Sequence, residues 1–181
     1  MTGPSPDHDL QHGLVALTPN LRAFARTLCG APDQADDLVQ EALVKAWKHR
    51  ASFEPGSNLK AWLFTILRNA YLSERRKRKY EVADPDGIMA EQLSVKGEQS
   101  GHMDLVDFAK AFGQLPTEQR EALILIGAEG FSYDEAAAMC GCAVGTIKSR
   151  VNRARVRLTE MTGIAEGSDI GEDTVSTVNS R

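Results

Sequence analysis

"AAAMCGCAVGTIKSRVNRARVR", residues 136–157, packs five basic side chains and no acid into its second half. Read with its neighbours, Tyr133 to Leu158 forms a helix–turn–helix. The first helix runs from Asp134 to Met139, with Ala137 small where a second helix must cross closely. Gly141, four residues later, supplies the turn, and Ile147 anchors the second helix against the first. At about 100° per residue, Ile147, Val151, Ala154 and Leu158 fall on one buried face. Ser149, Asn152 and Arg153 lie opposite; Lys148 and Arg155 flank the apolar stripe on one side, Arg150 and Arg157 on the other. Such a face suits the major groove of DNA. Asn and Ser reach base edges, Lys and Arg read guanine, and flanking cations hold phosphates. An isolated arginine-rich helix would read as solvated surface, but here spacing, amphipathicity and charge agree on DNA contact.

Cys140 and Cys142 straddle the turn. A tetrahedral metal site needs four ligands, and no nearby histidine or third cysteine completes one, so they are read as small buried residues. Neither a metal nor another cofactor is expected.

Working outward, nearly every periodic segment reads as helix and none as a convincing strand. "DDLVQEALVKAWKHR" (residues 36–50) places Leu38, Val39, Ala42, Leu43, Ala46 and Trp47 on one stripe. Pro55 and Gly56 then break the chain, and Ser57 or Asn58 suits the cap of the next helix. That helix, residues 59–79, turns Leu59, Trp62, Leu63, Ile66, Leu67 and Ala70 inward before becoming wholly polar. Trp47 and Trp62 both fall on apolar stripes and are assigned to the core; Tyr71 stays open between core and surface. The fold class is all-α: two small helical domains (10–79 and 105–161), an acidic linker (80–104) and a polar tail (162–181).

The 181 residues are 42% hydrophobic and 25% charged, values of a soluble globular chain. The N-terminus has no secretory pattern, and no apolar run is long enough for a bilayer. Three cysteines without framework spacing fit a reducing cytoplasm. The net charge of −4 hides two basic patches: residues 60–79 hold seven cations against Glu74, and residues 144–158 hold five unopposed. Acids elsewhere partly cancel both, so the free chain is expected to bind DNA poorly until a partner changes that. No phosphate loop, catalytic triad or convergent carboxylate pair is visible, so the chain is not read as an enzyme.

With both patches included, residues 14–161 resemble the extracytoplasmic-function sigma factors, minimal bacterial sigma factors that keep only the promoter-reading domains two and four. "DQADDLVQEALVKAW" is similar to their core-binding segment, "NLKAWLFTILRNAYLSERRKR" to their −10 segment, and "LPTEQREALILIGAEGFSYDEAAAMCGCAVGTIKSRVNRARVRL" to domain four. The ordered pair separated by a linker is the specific signal. "REALILIGAEGFSYDEAAAMCGCAVGTIKSRVNRAR", with "GHMDLVDF", further resembles the alphaproteobacterial general-stress-response subgroup. The resemblance implies a monomer that directs core RNA polymerase to stress-response promoters, helps open the −10 region and is held inactive by an anti-sigma factor.

It also implies roles for residues. Asp37, Gln40 and Glu41 would face the clamp coiled coil of RNA polymerase. Ser57, Asn58, Lys60, Arg68, Asn69, Arg75 and Arg76 would serve the −10 element: the loop 53–58 captures a flipped base, Asn69 is a polar base contact, and the arginines track phosphates. Thr146, Lys148, Ser149, Arg150, Asn152, Arg153 and Arg155 would read the −35 element. The linker would thread the polymerase toward the RNA exit path, or act as a soluble spacer. Two other readings compete. A conventional helix–turn–helix regulator would need a dimerisation element, which is not seen. A sigma-like decoy that sequesters an anti-sigma factor would not need the basic groove face.

Overall fold

The computed structural model describes residues 6–81 and 103–163, and among them every regular element is helical. In the N-terminal half, α1 (Pro6–Cys29) and α2 (Pro32–Lys48) pack against α3 (Leu59–Glu81). Pro32 opens α2, where its fixed φ costs nothing; Asp33 in the first turn and Lys45 and Lys48 in the last match the helix dipole. Ala35, Leu38, Val39, Ala42 and Ala46 are its buried stripe. A turn at Arg50–Ser52 and the left-handed Gly56 (φ +90°) reverse the chain. Asn58 then caps α3: its Oδ1 accepts the Ala61 amide at 3.1 Å.

The C-terminal half comprises α4 (Met103–Gln114), α5 (Thr117–Leu123), α6 (Tyr133–Cys140) and α7 (Val144–Thr162). α5 continues into a π-helical stretch, Ile124–Ala128, closed where the Glu129 amide donates to the Ile124 carbonyl five residues back at 2.9 Å. A capping box starts α6: the Ser132 hydroxyl accepts from the Glu135 amide and the Glu135 carboxylate accepts from the Ser132 amide. Gly141 ends α6 in the left-handed region at φ +62°, as the turn reading requires. The buried residues of α7 are Ile147, Val151, Ala154 and Leu158, the face read from the helical wheel.

One apolar core runs through both halves. Phe24 of α1 stacks on Phe64 of α3 at 4.9 Å between ring centroids, and Phe64 meets Phe131, in the loop before α6, edge-on at 5.2 Å. Such pairs add about 0.5–1.5 kcal/mol each beyond the area they bury. A smaller cluster, Ala111, Leu115, Ala154 and Leu158, joins α4 to α7.

Two expectations need correction. Trp47 is not core: 40% of it is exposed, with the Arg50 guanidinium 4.8 Å above its ring. It lies near the C-terminal end of α2, just past Ala46, the last buried residue of the stripe. The linker is also shorter than expected at its ends, because α3 runs through Tyr80 and Glu81 and α4 starts at Met103. The rest of the expected linker and the tail beyond Gly163 lie outside the described residues. Among those described, no helix is long and apolar enough to cross a membrane.

Candidate nucleic-acid interface

α7 turns outward the polar and cationic face laid out by the helical wheel. Lys148, Asn152 and Arg153 are exposed, and Thr146, Ser149 and Arg155 are half-buried. The Ser149 hydroxyl donates to the Thr146 carbonyl at 2.9 Å, which leaves its oxygen free to accept. Lys148 Nζ lies 5.5 Å from the Tyr133 ring centroid, so α6 steadies it at the edge of the face. Arg150 is drawn inward instead, its Nη1 4.0 Å from Cys142 Sγ. The cysteines are packed residues: Cys140 is buried and Cys142 half-buried, and burial followed by the nearby Glu121 charge pushes the Cys140 thiol up to about 12. Among the described residues no cluster could hold a metal ion.

The −10 candidates on α3 divide. Asn69 and Arg76 are exposed, and Arg76 reaches back to the Leu72 carbonyl at 3.3 Å. Ser57 is exposed, its hydroxyl donating to the Glu54 carbonyl at 2.7 Å. Three others are engaged by acids of the C-terminal half. Asn58 Nδ2 donates to Glu135 Oε1 at 2.8 Å. Lys60 Nζ meets both the carbonyl and the carboxylate of Glu129 at 2.8 Å, with the Phe131 ring 5.0 Å away. Arg68 Nε donates to Glu121 Oε1 at 2.5 Å, and its Nη1 donates to the Met139 carbonyl at 3.3 Å.

The Arg68–Glu121 pair is nearly dry, with side chains 13% and 6% exposed. Burial works against both charges and raises the Glu121 carboxyl. On the Arg68 side the attraction and hydrogen bond of Glu121 outweigh burial, and its pKa lies above the usual value. Glu135 sits differently. The Ser132 amide and hydroxyl, then Asn58, hold its carboxyl below the usual glutamate value.

On α2, Asp37, Gln40 and Glu41 are exposed on one side, and Glu41 pairs with Lys45 at 2.6 Å. Sequence reading missed that Val44 and Trp47 continue this exposed face one and two turns further on. The signal available was the i, i+3, i+7, i+10 spacing from Asp37. Tyr71 is half-buried, and burial pushes its phenol above the ordinary tyrosine value.

Comparison with known proteins matches residues 15–80 to Sigma-70 region 2 and residues 105–158 to Sigma-70, region 4. A curated relative, the ECF RNA polymerase sigma factor EcfG of Rhodopseudomonas palustris, is 54% identical over 93% of this chain and 94% of its own. The ECF RNA polymerase sigma factor SigC of Mycobacterium tuberculosis is 40% identical over 67% and 66% of the two chains. Among solved structures, the sigma factor RpoE in complex with the anti-sigma factor NepR, from Bartonella quintana, superposes with a TM-score of 0.78 at 56% identity. That match covers 87% of this chain and 99% of the other.

Proposed function

The chain belongs to the extracytoplasmic-function sigma factors, and on that premise we propose how its surfaces divide the work of promoter recognition. As a sigma factor it confers promoter specificity on core RNA polymerase and performs none of the synthesis chemistry. The observation that carries the assignment of roles is the outward face of α7, polar and cationic opposite the buried Ile147, Val151, Ala154 and Leu158. Asn152, Ser149 and Lys148 read base edges of the −35 element, Arg153, Arg155 and Arg150 hold its phosphates, and Thr146 positions the start of the helix. On α3 and the loop before it, Ser57, Asn58 and Asn69 contact −10 bases. Lys60, Arg68, Arg75 and Arg76 follow the backbone of the opened strand. Asp37, Gln40 and Glu41, extended by Val44 and Trp47, dock on the clamp coiled coil of the polymerase.

The arrangement of the halves supports a resting, closed form. Glu121, Glu129 and Glu135 hold Arg68, Lys60 and Asn58, three groups the −10 strand needs. Polymerase binding must therefore part the halves before the −10 element can be trapped. An anti-sigma factor of the kind bound to the Bartonella relative would stabilise closure, placing this chain under release by stress in the cytoplasm, where its polymerase acts.

The test is transcription of a genomic fragment library by core polymerase with and without the protein. Discrete new start sites sharing elements near −35 and −10 are expected. Absence of any stimulation by folded protein would overturn the sigma assignment and leave the decoy.

A further inference from the structure

The two basic patches are treated differently by the fold. On α3, Lys60 and Arg68 each meet a glutamate of the other half. On α7, Lys148, Arg153, Arg155 and Arg157 make no ion pair among the described residues. The partners described for them are neutral: Lys148 lies over the Tyr133 ring, and Arg157 Nη1 donates to Gln119 Oε1 at 3.5 Å. Arg153 and Arg157 are both exposed and four residues apart, so like charges face each other one turn away.

The sequence places acids directly after this helix. Residues 164–181 hold Glu166, Asp169, Glu172 and Asp173 against the single cation Arg181. At their junction with α7, Gly163 takes the left-handed conformation at φ +66°, and its amide donates to the Thr159 carbonyl at 2.9 Å. Such a cap turns the chain off the helix axis. The 19 residues of α7 span about 28 Å. An extended chain of residues 164–181 reaches roughly 60 Å, enough to run back along the whole helix. Tethered at the helix end, its acids meet the cations at an effective concentration on the order of mM. The acidic residues 82–102 join α3 to α4 and have no such junction with α7. We propose that residues 164–181 fold back on α7 and that their four acids pair with its outward cations, covering the face until a nucleic acid displaces them. The docking stands on charge and connectivity; its effect on promoter binding rests on the −35 assignment above.

The test uses the full chain carrying ¹⁵N-arginine. One variant combines Glu166→Gln, Asp169→Asn, Glu172→Gln and Asp173→Asn. A control combines Asp84→Asn, Asp86→Asn, Glu91→Gln and Glu98→Gln, which changes the net charge equally. The Nε–H resonances of Arg153 and Arg157 are expected to shift in the first variant alone. Unmoved resonances, or equal shifts in both variants, would overturn the docking. At low salt, a short random-sequence duplex should bind the first variant about tenfold more tightly than the parent or the control, and the gap should narrow as salt rises. Equal gains in both variants would reduce the effect to net charge and overturn the covering role. Shifted arginines without any gain in duplex binding would leave the docking standing and overturn the DNA assignment of the face.

Discussion

Arg68 of α3 and Glu121 of α5 meet at 2.5 Å across the boundary between the halves, so a cation that we propose for the opened −10 strand is neutralised by the protein's own carboxylate. The pair is too dry to be screened like a surface bridge, and each charge depends on the other to remain buried.

Reversing one charge should therefore open the molecule. Glu121→Lys sets two cations against each other, at a cost of several kcal/mol. Separation of the halves relieves that cost more cheaply than unfolding does. The radius of gyration from small-angle scattering should rise with helicity unchanged, and the free protein should bind single-stranded −10 DNA at least about tenfold more tightly. Arg68→Glu combined with Glu121→Lys should restore the compact radius while leaving −10 binding weak. A compact Glu121→Lys protein would show that the pair does not hold the halves.

The two exposed residues at the centre of α7 should fail differently. Asn152→Ala should cost about 1–3 kcal/mol at one −35 base pair and relax preference there. Arg153→Ala should weaken all promoters alike and reduce the salt slope by about one. Holoenzyme binding to a panel of −35 variants at two salt concentrations separates them; identical profiles would refute the division.

Trp47 offers a cleaner test of polymerase docking than a buried residue would. It is 40% exposed, so Trp47→Ala should cost only about 1 kcal/mol of stability and leave the protein folded. If it anchors the polymerase contact, core affinity should fall by about 2 kcal/mol, near thirtyfold. Unchanged core affinity would confine the docking surface to Asp37, Gln40 and Glu41.

The capping box carries a pH signature. Its hydrogen bonds hold the Glu135 carboxyl below the usual glutamate value, so its contribution is present above that value and lost as pH falls through the depressed one. Glu135→Gln should lower stability by up to about 1 kcal/mol at neutral pH, and the gap to the parent should close in acid. Thermal melts between neutral pH and pH ~3 check this; a gap constant with pH would assign the loss to packing instead.

How much of this was legible depends on the range of the interaction. The face of α7 and the Gly141 turn follow from neighbours within one or two helical turns, and the α3 cap is narrowed the same way to Ser57 or Asn58. The Trp47 misassignment marks the limit of periodicity: a stripe tells which residues could be covered, not how far the covering helices extend. The closed arrangement was not legible at all. Nothing local to Glu121, Glu129 or Glu135 records that Arg68, Lys60 and Asn58 lie opposite, 53 to 77 positions away.

The run of Phe24, Phe64 and Phe131 gives the closed form a dependence on temperature that the ion pairs alone would not. Parting the halves wets Phe131 and one side of Phe64, and newly hydrated apolar surface raises the heat capacity of the open form. The grip between the halves therefore follows a curve rather than a line. It slackens on cooling as the entropic gain from releasing water fades, and it is firmest at an intermediate temperature. A molecule fastened by dry charge pairs and by aromatic rings answers to warmth through the rings and only weakly to salt through the charges.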